Sequence, residues 1–167
     1  MHVDSKYFVV SIIVLTLSIM SVMRTSVYTD ETTLWGATVK QSPLKARPHN
    51  NYGHGLKEAN RLQEATKQFE LAIALKPDYP DAMNNLATLY GSFGRREESF
   101  DLLRRTLALE PGHIPAKFNL AMQSYETGNI DAAYLEYRSI IELAPDSKEA
   151  MFAISMMRLI QKQKTAR

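Results

Sequence analysis

Histidines have the widest chemical range of the side chains here, since imidazole binds metals and transfers protons near neutral pH. The four are His2, His49, His54 and His113, and the nearest two are five residues apart. Neighbours on a helix face stand three or four residues apart, so this spacing turns the two rings to different faces. With no cysteine in the chain, thiolate ligands, disulfides and thiol catalysis are excluded as well. We expect no metal site.

Carboxylates and glycines give no sign of catalysis either. Glu97, Glu98 and Asp101 fall near an expected helix start, where carboxylates stabilise a helix through its dipole. Gly53 and Gly55 lack the strand, turn and helix context of a phosphate-binding loop. The sequence therefore predicts that the protein is not an enzyme and needs no cofactor.

Composition and charge are those of an ordinary globular chain. The 167 residues are 45% hydrophobic and 23% charged, and the net charge is +2. Basic and acidic residues are interleaved rather than gathered in one run. A nucleic acid partner is not expected from this pattern.

An uncharged apolar segment lies near the N-terminus. It runs from Tyr7 to Met23 between Lys6 and Arg24, and as a helix would be about 25 Å long. Extension to residue 28 reaches bilayer thickness if Arg24 snorkels. We expect a membrane anchor over residues 7–28, within an N-terminal region 1–29. A cleaved signal peptide, which would give a secreted repeat protein, is the alternative. The flanking charges do not fix the orientation.

A period of 34 residues organises the rest of the chain. The same spacing relates the prolines Pro43, Pro77, Pro111 and Pro145, the turn residues Asn60, Gly94 and Gly128, the leucines Leu75, Leu109 and Leu143, and the asparagines Asn51, Asn85 and Asn119. Self-similarity at a fixed period of this length is the signature of a repeat array.

Each 34-residue unit has the pattern of two amphipathic helices. Ala65, Phe69 and Ala72 mark the buried stripe of one second helix. Asn60 and the glycines at equivalent positions tolerate the left-handed conformation that closes a helix. A proline such as Pro77 then ends the second helix. The unit is expected to be an antiparallel helical hairpin.

This pattern resembles the tetratricopeptide repeat (TPR) family in its length, its small residue in the first helix, its aromatic residue in the second and its closing proline. The resemblance implies an all-α TPR helical-hairpin solenoid with an N-terminal transmembrane helix. Residues 46–147 would form three repeats, and residues 148–167 a C-terminal capping helix. Residues 30–45 would form a half-repeat capping helix, with Asp30 as its N-cap and Trp35 in the aromatic position.

The run from Arg24 to Gly53 carries a second likeness. Its acidic pair, its Leu34 and Trp35, and its asparagine-rich end resemble the junction in bacterial protein O-mannosyltransferase-like proteins, where repeats follow many membrane helices. That likeness implies a single-pass protein of the bacterial inner membrane with the repeats in the periplasm. The catalytic membrane part of that class is missing from this sequence, so no transferase activity is implied.

In the TPR family the first helices line a concave groove, and this implies where a partner binds. The candidate groove residues are Asn50, Asn51, His54, Lys57, Asn84, Asn85, Thr88, Phe118, Asn119, Met122, Tyr125, Phe152 and Met156. The N-terminal half is polar and mildly basic, whereas the C-terminal half is apolar and suits an adaptable surface. Packing of Phe118, Phe152 and Met156 against neighbouring helices is an equal alternative.

Three candidates, Asn51, Asn85 and Asn119, recur once per unit. Carboxamides both donate and accept hydrogen bonds, so such a row could pair with the backbone of an extended peptide. A structural role is the alternative. The chaperone adaptors of the family clamp a carboxylate with a basic set, and of the equivalent residues here only Asn85 matches, because His54 and Pro115 replace members of that set. That partner is not expected.

Together these features predict a membrane-anchored TPR scaffold that binds a polypeptide partner. It would act as an assembly or accessory subunit of a membrane-associated complex. The alternative is an accessory subunit that presents substrate in a protein glycosylation system. A partner on the convex face, near Arg95, Arg96, Arg104 and Arg105, is less expected than a solvated surface there.

Overall fold

The computed structural model describes residues 31–165, which form eight helices. They are α1 (Glu31–Gln41), α2 (Ala46–Glu58), α3 (Leu62–Leu75), α4 (Pro80–Ser92), α5 (Arg96–Leu109), α6 (Ile114–Glu126), α7 (Ile130–Leu143) and α8 (Lys148–Thr165). The pairs α2–α3, α4–α5 and α6–α7 are hairpins stacked in sequence order, with α1 packed on α2 and α8 on α7. The expected helical-hairpin solenoid is thus confirmed.

The predicted membrane segment and Asp30 lie outside the described residues. Within residues 31–165, none of the helices combines the length and the apolar character that crossing a bilayer requires. The anchor therefore stays a prediction from the sequence.

The turn inside each hairpin depends on a left-handed residue. Asn60, Gly94 and Gly128 have φ of 58°, 76° and 80°, as their spacing predicted. Positive φ reverses the chain so that the next amide can bond back, and the Arg61 N–H donates to the Leu56 carbonyl at 2.8 Å. The first helix of each hairpin is therefore closed by its own backbone.

The prolines act two residues beyond the second helices. Leu75, Leu109 and Leu143 end these helices, and the residue that follows each of them, directly before the proline, is not helical, as at Lys76 with φ −141° and ψ 92°. A proline disfavours helical geometry in the residue before it, which explains this early stop.

Small residues facing large ones hold the hairpins close together. Phe69 is fully buried against Gly53, where an added Cβ would lie only 2.8 Å from the ring. Tyr137 is fully buried in the last hairpin. Two apolar clusters result, one along α2 to α6 and one along α6 to α8.

The helix α1 differs from the other second helices. None of its residues is buried, and Trp35 is half-buried, whereas Phe69 in the equivalent position is fully buried. It approaches α2 at Gly36, where an added Cβ would lie 3.3 Å from the Tyr52 ring. The aromatic position of α1 is thus occupied but only partly covered.

Candidate functional site

The helices α2, α4, α6 and α8 line an open groove of about 530 Å³. Side chains three and four residues apart share a helix face, which is why the candidates of each first helix point to one side. The groove brings together the predicted residues Asn50, His54, Lys57, Asn84, Asn85, Thr88, Phe118 and Asn119. Their contact with a partner stays a prediction.

Carboxamides of successive hairpins are hydrogen bonded across this groove. Asn85 Nδ2 donates to Asn50 Oδ1 at 3.2 Å, and Asn119 Nδ2 donates to Asn84 Oδ1 at 2.9 Å. We call these two contacts the amide pairs. Asn50 and Asn84 are each 8% exposed, and leaving their oxygens unbonded would be costly. Asn51 accepts a hydrogen bond from Asn50 and lies outside the groove lining.

The amide pairs leave acceptors facing the groove. A carboxamide has two N–H donors and an oxygen with two lone pairs, and the pairs use the nitrogens of Asn85 and Asn119. The second donor of Asn119 bonds Thr88 Oγ1 at 3.1 Å. Within residues 31–165, the oxygens of Asn85 and Asn119 accept no hydrogen bond. Both residues line the groove and are held through their nitrogens, so each oxygen is a candidate acceptor for the N–H of a ligand.

Asp81 and His113 also line the groove, which the TPR resemblance had not predicted for either residue. His113 is buried at the start of α6, and its Nδ1 accepts the Ala116 N–H at 3.1 Å. In the neutral ring the proton is therefore on Nε2, which lies 3.4 Å from Asp81 Oδ1. His113 is 34 residues from Tyr79 and from Ser147, so the same period could have identified this row of helix starts.

Charge around the groove is mixed. Lys57 and His54 lie at one end, Lys148 and Glu149 at the other, and Asp81 between them. Acidic and basic side chains thus alternate along the lining, and the N-terminal half is less basic than its first helices alone indicated. A polyanionic ligand has no continuous basic surface here.

The apolar C-terminal candidates are largely engaged with the core. Phe118 meets Phe152 edge to face at 5.2 Å between ring centres, and Tyr137 lies 6.5 Å from Phe152. The Tyr137 hydroxyl donates to Met122 Sδ at 3.2 Å, and burial raises the pKa of Tyr137 to about 12. Phe152 remains 40% exposed. Phe118 and Phe152 thus pack on each other as the packing alternative has it, while Phe152 still presents a surface, and a binding role for either stays a prediction.

Tyr125 and Met156 lie away from the groove lining. The Tyr125 hydroxyl accepts a hydrogen bond from Gln163 at 3.4 Å, and Met156 packs against the C-terminal cluster. Met122 lines a smaller depression of about 320 Å³ together with Thr88 and Asn119. A binding role for Tyr125 and Met156 stays a prediction.

The arginine-rich convex face is partly tied into the fold. The Arg95 guanidinium stacks 3.7 Å from the centre of the Tyr90 ring and donates to Glu98 at 2.7 Å, which lowers the pKa of that carboxyl. The Tyr90 hydroxyl donates to Glu70 at 3.0 Å, and burial raises the pKa of Tyr90.

In the part of the chain that the structure describes, no three His, Asp or Glu side chains converge to hold a metal.

Comparison with known sequences finds repeat proteins. No family model matches the chain. Protein O-mannosyl-transferase TMTC3 of Homo sapiens is 26% identical over 160 residues, covering 87% of this chain and 18% of the relative. A TPR repeat-containing protein of Rhizobium etli is 28% identical over 100 residues, covering 60% of this chain and 49% of the relative. The chain spans under half the length of either relative.

Comparison with solved structures finds the same architecture. The yeast Tom70 structure matches with a TM-score of 0.70 and 24% identity, over 80% of this chain and 29% of that one. The first TPR of Spaghetti (RPAP3), bound to the HSP90 peptide SRMEEVD, matches with 0.66 and 18% identity, over 72% and 94%. MamA matches with 0.62 and 15% identity, over 80% and 88%.

The stacked hairpins with closing prolines and left-handed turns define a TPR-type helical solenoid. Repeat proteins are among its sequence relatives and TPR domains are among its structural neighbours, so the chain has the TPR fold and is similar in sequence to TPR repeat proteins.

Proposed function

We propose that this chain is a non-enzymatic scaffold that binds an extended polypeptide in the groove of α2, α4, α6 and α8. The observation that carries the proposal is the pair of oriented carboxamide oxygens on Asn85 and Asn119. The amide pairs hold both side chains in place before a ligand arrives, which reduces the entropy lost on binding. Two acceptors on successive hairpins suit the repeating N–H groups of an extended backbone.

The lining favours a sequence-tolerant mode of binding over capture of a chain end. Carboxamides read the backbone of a peptide, which every sequence shares. The RPAP3 repeat was solved with a peptide that ends in aspartate. Here Asn50, His54, Pro115 and Asn119 stand where a carboxylate clamp needs its other members, and none of them carries a permanent positive charge. We therefore propose an internal segment as the ligand.

The proposal includes attachment to a membrane through residues 7–28, with the repeats on the periplasmic side of a bacterial inner membrane. The apolar segment of the sequence supports this. Under the proposal, alkaline carbonate leaves the protein in the membrane pellet. The chain has no cysteine, so Thr127→Cys gives a single label site, which a membrane-impermeant maleimide should reach in spheroplasts. Release by carbonate, or protection from the label, would contradict the topology.

A second candidate is an accessory subunit that presents substrate in a protein glycosylation system. The match to TMTC3 over 87% of this chain supports it. The two candidates differ in the proteins that copurify from solubilised membranes. A multi-spanning glycosyltransferase together with its substrates would favour the second candidate, whereas subunits of an assembled complex would favour the first.

The groove itself is tested by filling it. Thr88 is an exposed residue of the groove lining, and Thr88→Lys places a long charged side chain beside Asn85 and Asn119. Ala108→Lys is the matched control, because it adds the same side chain at an exposed site of α5. Ala108→Lys should melt within about 0.5 kcal/mol of the parent, as surface changes usually do. Thr88→Lys also removes the hydroxyl that accepts from Asn119 Nδ2 and should cost about 1 kcal/mol, so capture is compared at a temperature where both variants are folded.

The measurement is quantitative mass spectrometry of proteins captured by each tagged variant from solubilised membranes. We expect Thr88→Lys to lower capture of the partner at least about tenfold, a loss that corresponds to 1.4 kcal/mol. Ala108→Lys should capture as the parent does. Equal capture by both variants would show that the partner does not use the groove.

A further inference from the structure

The two end helices of the array expose faces that every internal hairpin covers. The helix α8 continues the period of the first helices, and Ser155 stands in the position of the buried small residues Gly53, Ala87 and Ala121. The helix α1 continues the period of the second helices, and Trp35 stands in the position of the buried residues Phe69, Leu103 and Tyr137. Each end helix is therefore one half of a hairpin.

These end faces are open in the described part of the chain, where α1 packs on α2, and α8 packs on α6 and α7. On α8, Ser155 and Arg158 are exposed and Met151 is 62% exposed. On α1, Trp35 is half-buried, and the Glu31 side chain is 68% exposed with its carboxylate 3.9 Å from His54 Nδ1 of α2. Within residues 31–165, α8 has no second helix beside it and α1 has no first helix beside it, so the two end helices are complementary in type.

We propose that α8 of one copy packs against α1 of a second copy, so that two chains together complete a hairpin. The sizes match the internal rule. A Gly53 Cβ would lie 2.8 Å from Phe69, so the small residue of the first helix lies directly under the large residue of the second. In the joined hairpin, small Ser155 lies under Trp35, which becomes buried as Phe69 is.

Charge supports the same pairing. Next to the turn of each internal hairpin, one residue of the first helix and one residue of the second helix are buried. These pairs are Leu56 and Ala65, Tyr90 and Ser99, and Ser124 and Ala133. The residues at the equivalent positions are Arg158 on α8 and Glu31 on α1. The hairpin built from two copies would therefore pair opposite charges at this position. The internal hairpins have uncharged residues there.

The chain's own N-terminal sequence fits α1 less well than a second copy does. In the 34-residue register, Ile19 and Val22 fall at the positions of Ser155 and Arg158. Neither residue repeats the small side chain of Ser155 or the positive charge of Arg158. The occupant that matches in both size and charge is α8.

The resulting contact is head to tail, because it joins different surfaces of the two copies. Such heterologous contacts form open chains unless the rotation closes a ring. This assembly goes beyond groove binding and is independent of it, since Asn85 and Asn119 take no part in the contact.

Cysteine cross-linking tests the arrangement directly, since the natural chain has no cysteine. In α4–α5 the Ser99 hydroxyl donates to the Ala87 carbonyl at 2.6 Å, so the equivalent residues Glu31 and Ser155 should lie in contact across two copies. Glu31→Cys and Ser155→Cys copies of the full chain, with different tags, are mixed in detergent and oxidised. A mixed disulfide dimer is expected, formed at least about tenfold more than when either is mixed with Ala108→Cys. Mixed dimers no more abundant than in that control would overturn the proposal.

A charge swap tests it by a second route. Glu31→Arg and Arg158→Glu should each weaken association of the full chain at least about tenfold in sedimentation, because like charges then meet in the contact. The double variant restores the attraction and should recover parental association. Helical melting curves check that all three variants fold. A parent that sediments as a monomer at every concentration, or a double variant no better than the single ones, would refute head-to-tail packing.

Discussion

Replacing Gly53 by alanine should destabilise the first hairpin, although alanine is the better helix former. In an exposed helix the change would stabilise by about 1 kcal/mol. Here the added Cβ would lie 2.8 Å from Phe69 Cε1 and 2.9 Å from Cδ1, where carbon atoms prefer about 3.5–4.0 Å. Phe69 is fully buried, so its ring has no open direction in which to move.

The expected size follows from these two opposing effects. Overpacking a filled core costs about 1–3 kcal/mol, and the upper half of that range applies because three ring atoms are met at once. After the gain in helix propensity, Gly53→Ala should lose about 1–2 kcal/mol, or roughly 2–8 °C in Tm for a chain of this size. Urea denaturation of the full chain in detergent, followed by circular dichroism, measures it.

A double variant separates this steric cause from others. The second hairpin pairs Ala87 with Leu103, so Gly53→Ala combined with Phe69→Leu reproduces a combination that the chain already uses. Phe69→Leu alone should cost about 1 kcal/mol through the space it leaves. The two losses should not add, and the coupling should be about 1 kcal/mol or more.

Two outcomes would refute the reasoning. A Gly53→Ala variant at or above parental stability would show that the hairpin relaxes as α6–α7 does, where Ala121 accommodates Tyr137. Additive losses in the double variant would show that the two residues do not compete for space. Gly112→Ala is the control, because an added Cβ there meets nothing within 4 Å, and it should be neutral.

Three further predictions concern the groove and the array. Asn119→Ala leaves the buried oxygen of Asn84 without its donor and should cost about 1–3 kcal/mol in denaturant, whereas a neutral result would assign the amide pairs to binding alone. Because the pKa of Tyr137 is raised to about 12 in the folded state, its contribution to stability is complete below pH 10 and is lost as the pH rises towards 12, by at most about 2–3 kcal/mol. Tyr137→Phe should therefore reduce the fall in Tm between pH 10 and pH 12. Trp35→Ala should destabilise the N-terminal end, but by less than the about 3–5 kcal/mol of Phe69→Ala, because Trp35 is half-buried; an unchanged melting curve would mean that Trp35 packs on nothing.

The hairpins could be predicted from sequence because their requirements are local. A position that needs positive φ accepts few residue types, so Asn60, Gly94 and Gly128 identify the turns directly. A proline restricts its own neighbourhood whatever the tertiary contacts are. The repeat strengthens the prediction, because the same residue types recur at equivalent positions in three hairpins, whereas a single occurrence would be ambiguous.

The roles of the groove residues could not be predicted from the sequence in the same way, because the chemistry of a side chain does not determine which group it contacts. Asn85 and Asn119 can bond a peptide, a neighbouring hairpin or both, and only the structure shows that each already donates to the preceding hairpin. Phe118 fits a binding surface and a core equally well by composition, and its edge contact with Phe152 depends on how α6 and α8 stack.

The amide pairs link ligand binding to the mechanics of the array. In a solenoid each hairpin contacts only its neighbours, so stability is close to a sum of hairpin and interface contributions. Each amide pair crosses one such interface, and a peptide bonded to Asn85 and Asn119 would span both hairpins that carry them. Binding there should therefore stiffen the array between α4 and α6 without moving any core residue. If copies also join through α8 and α1, their first helices would form one continuous wall, and a longer extended segment could lie across more than one copy.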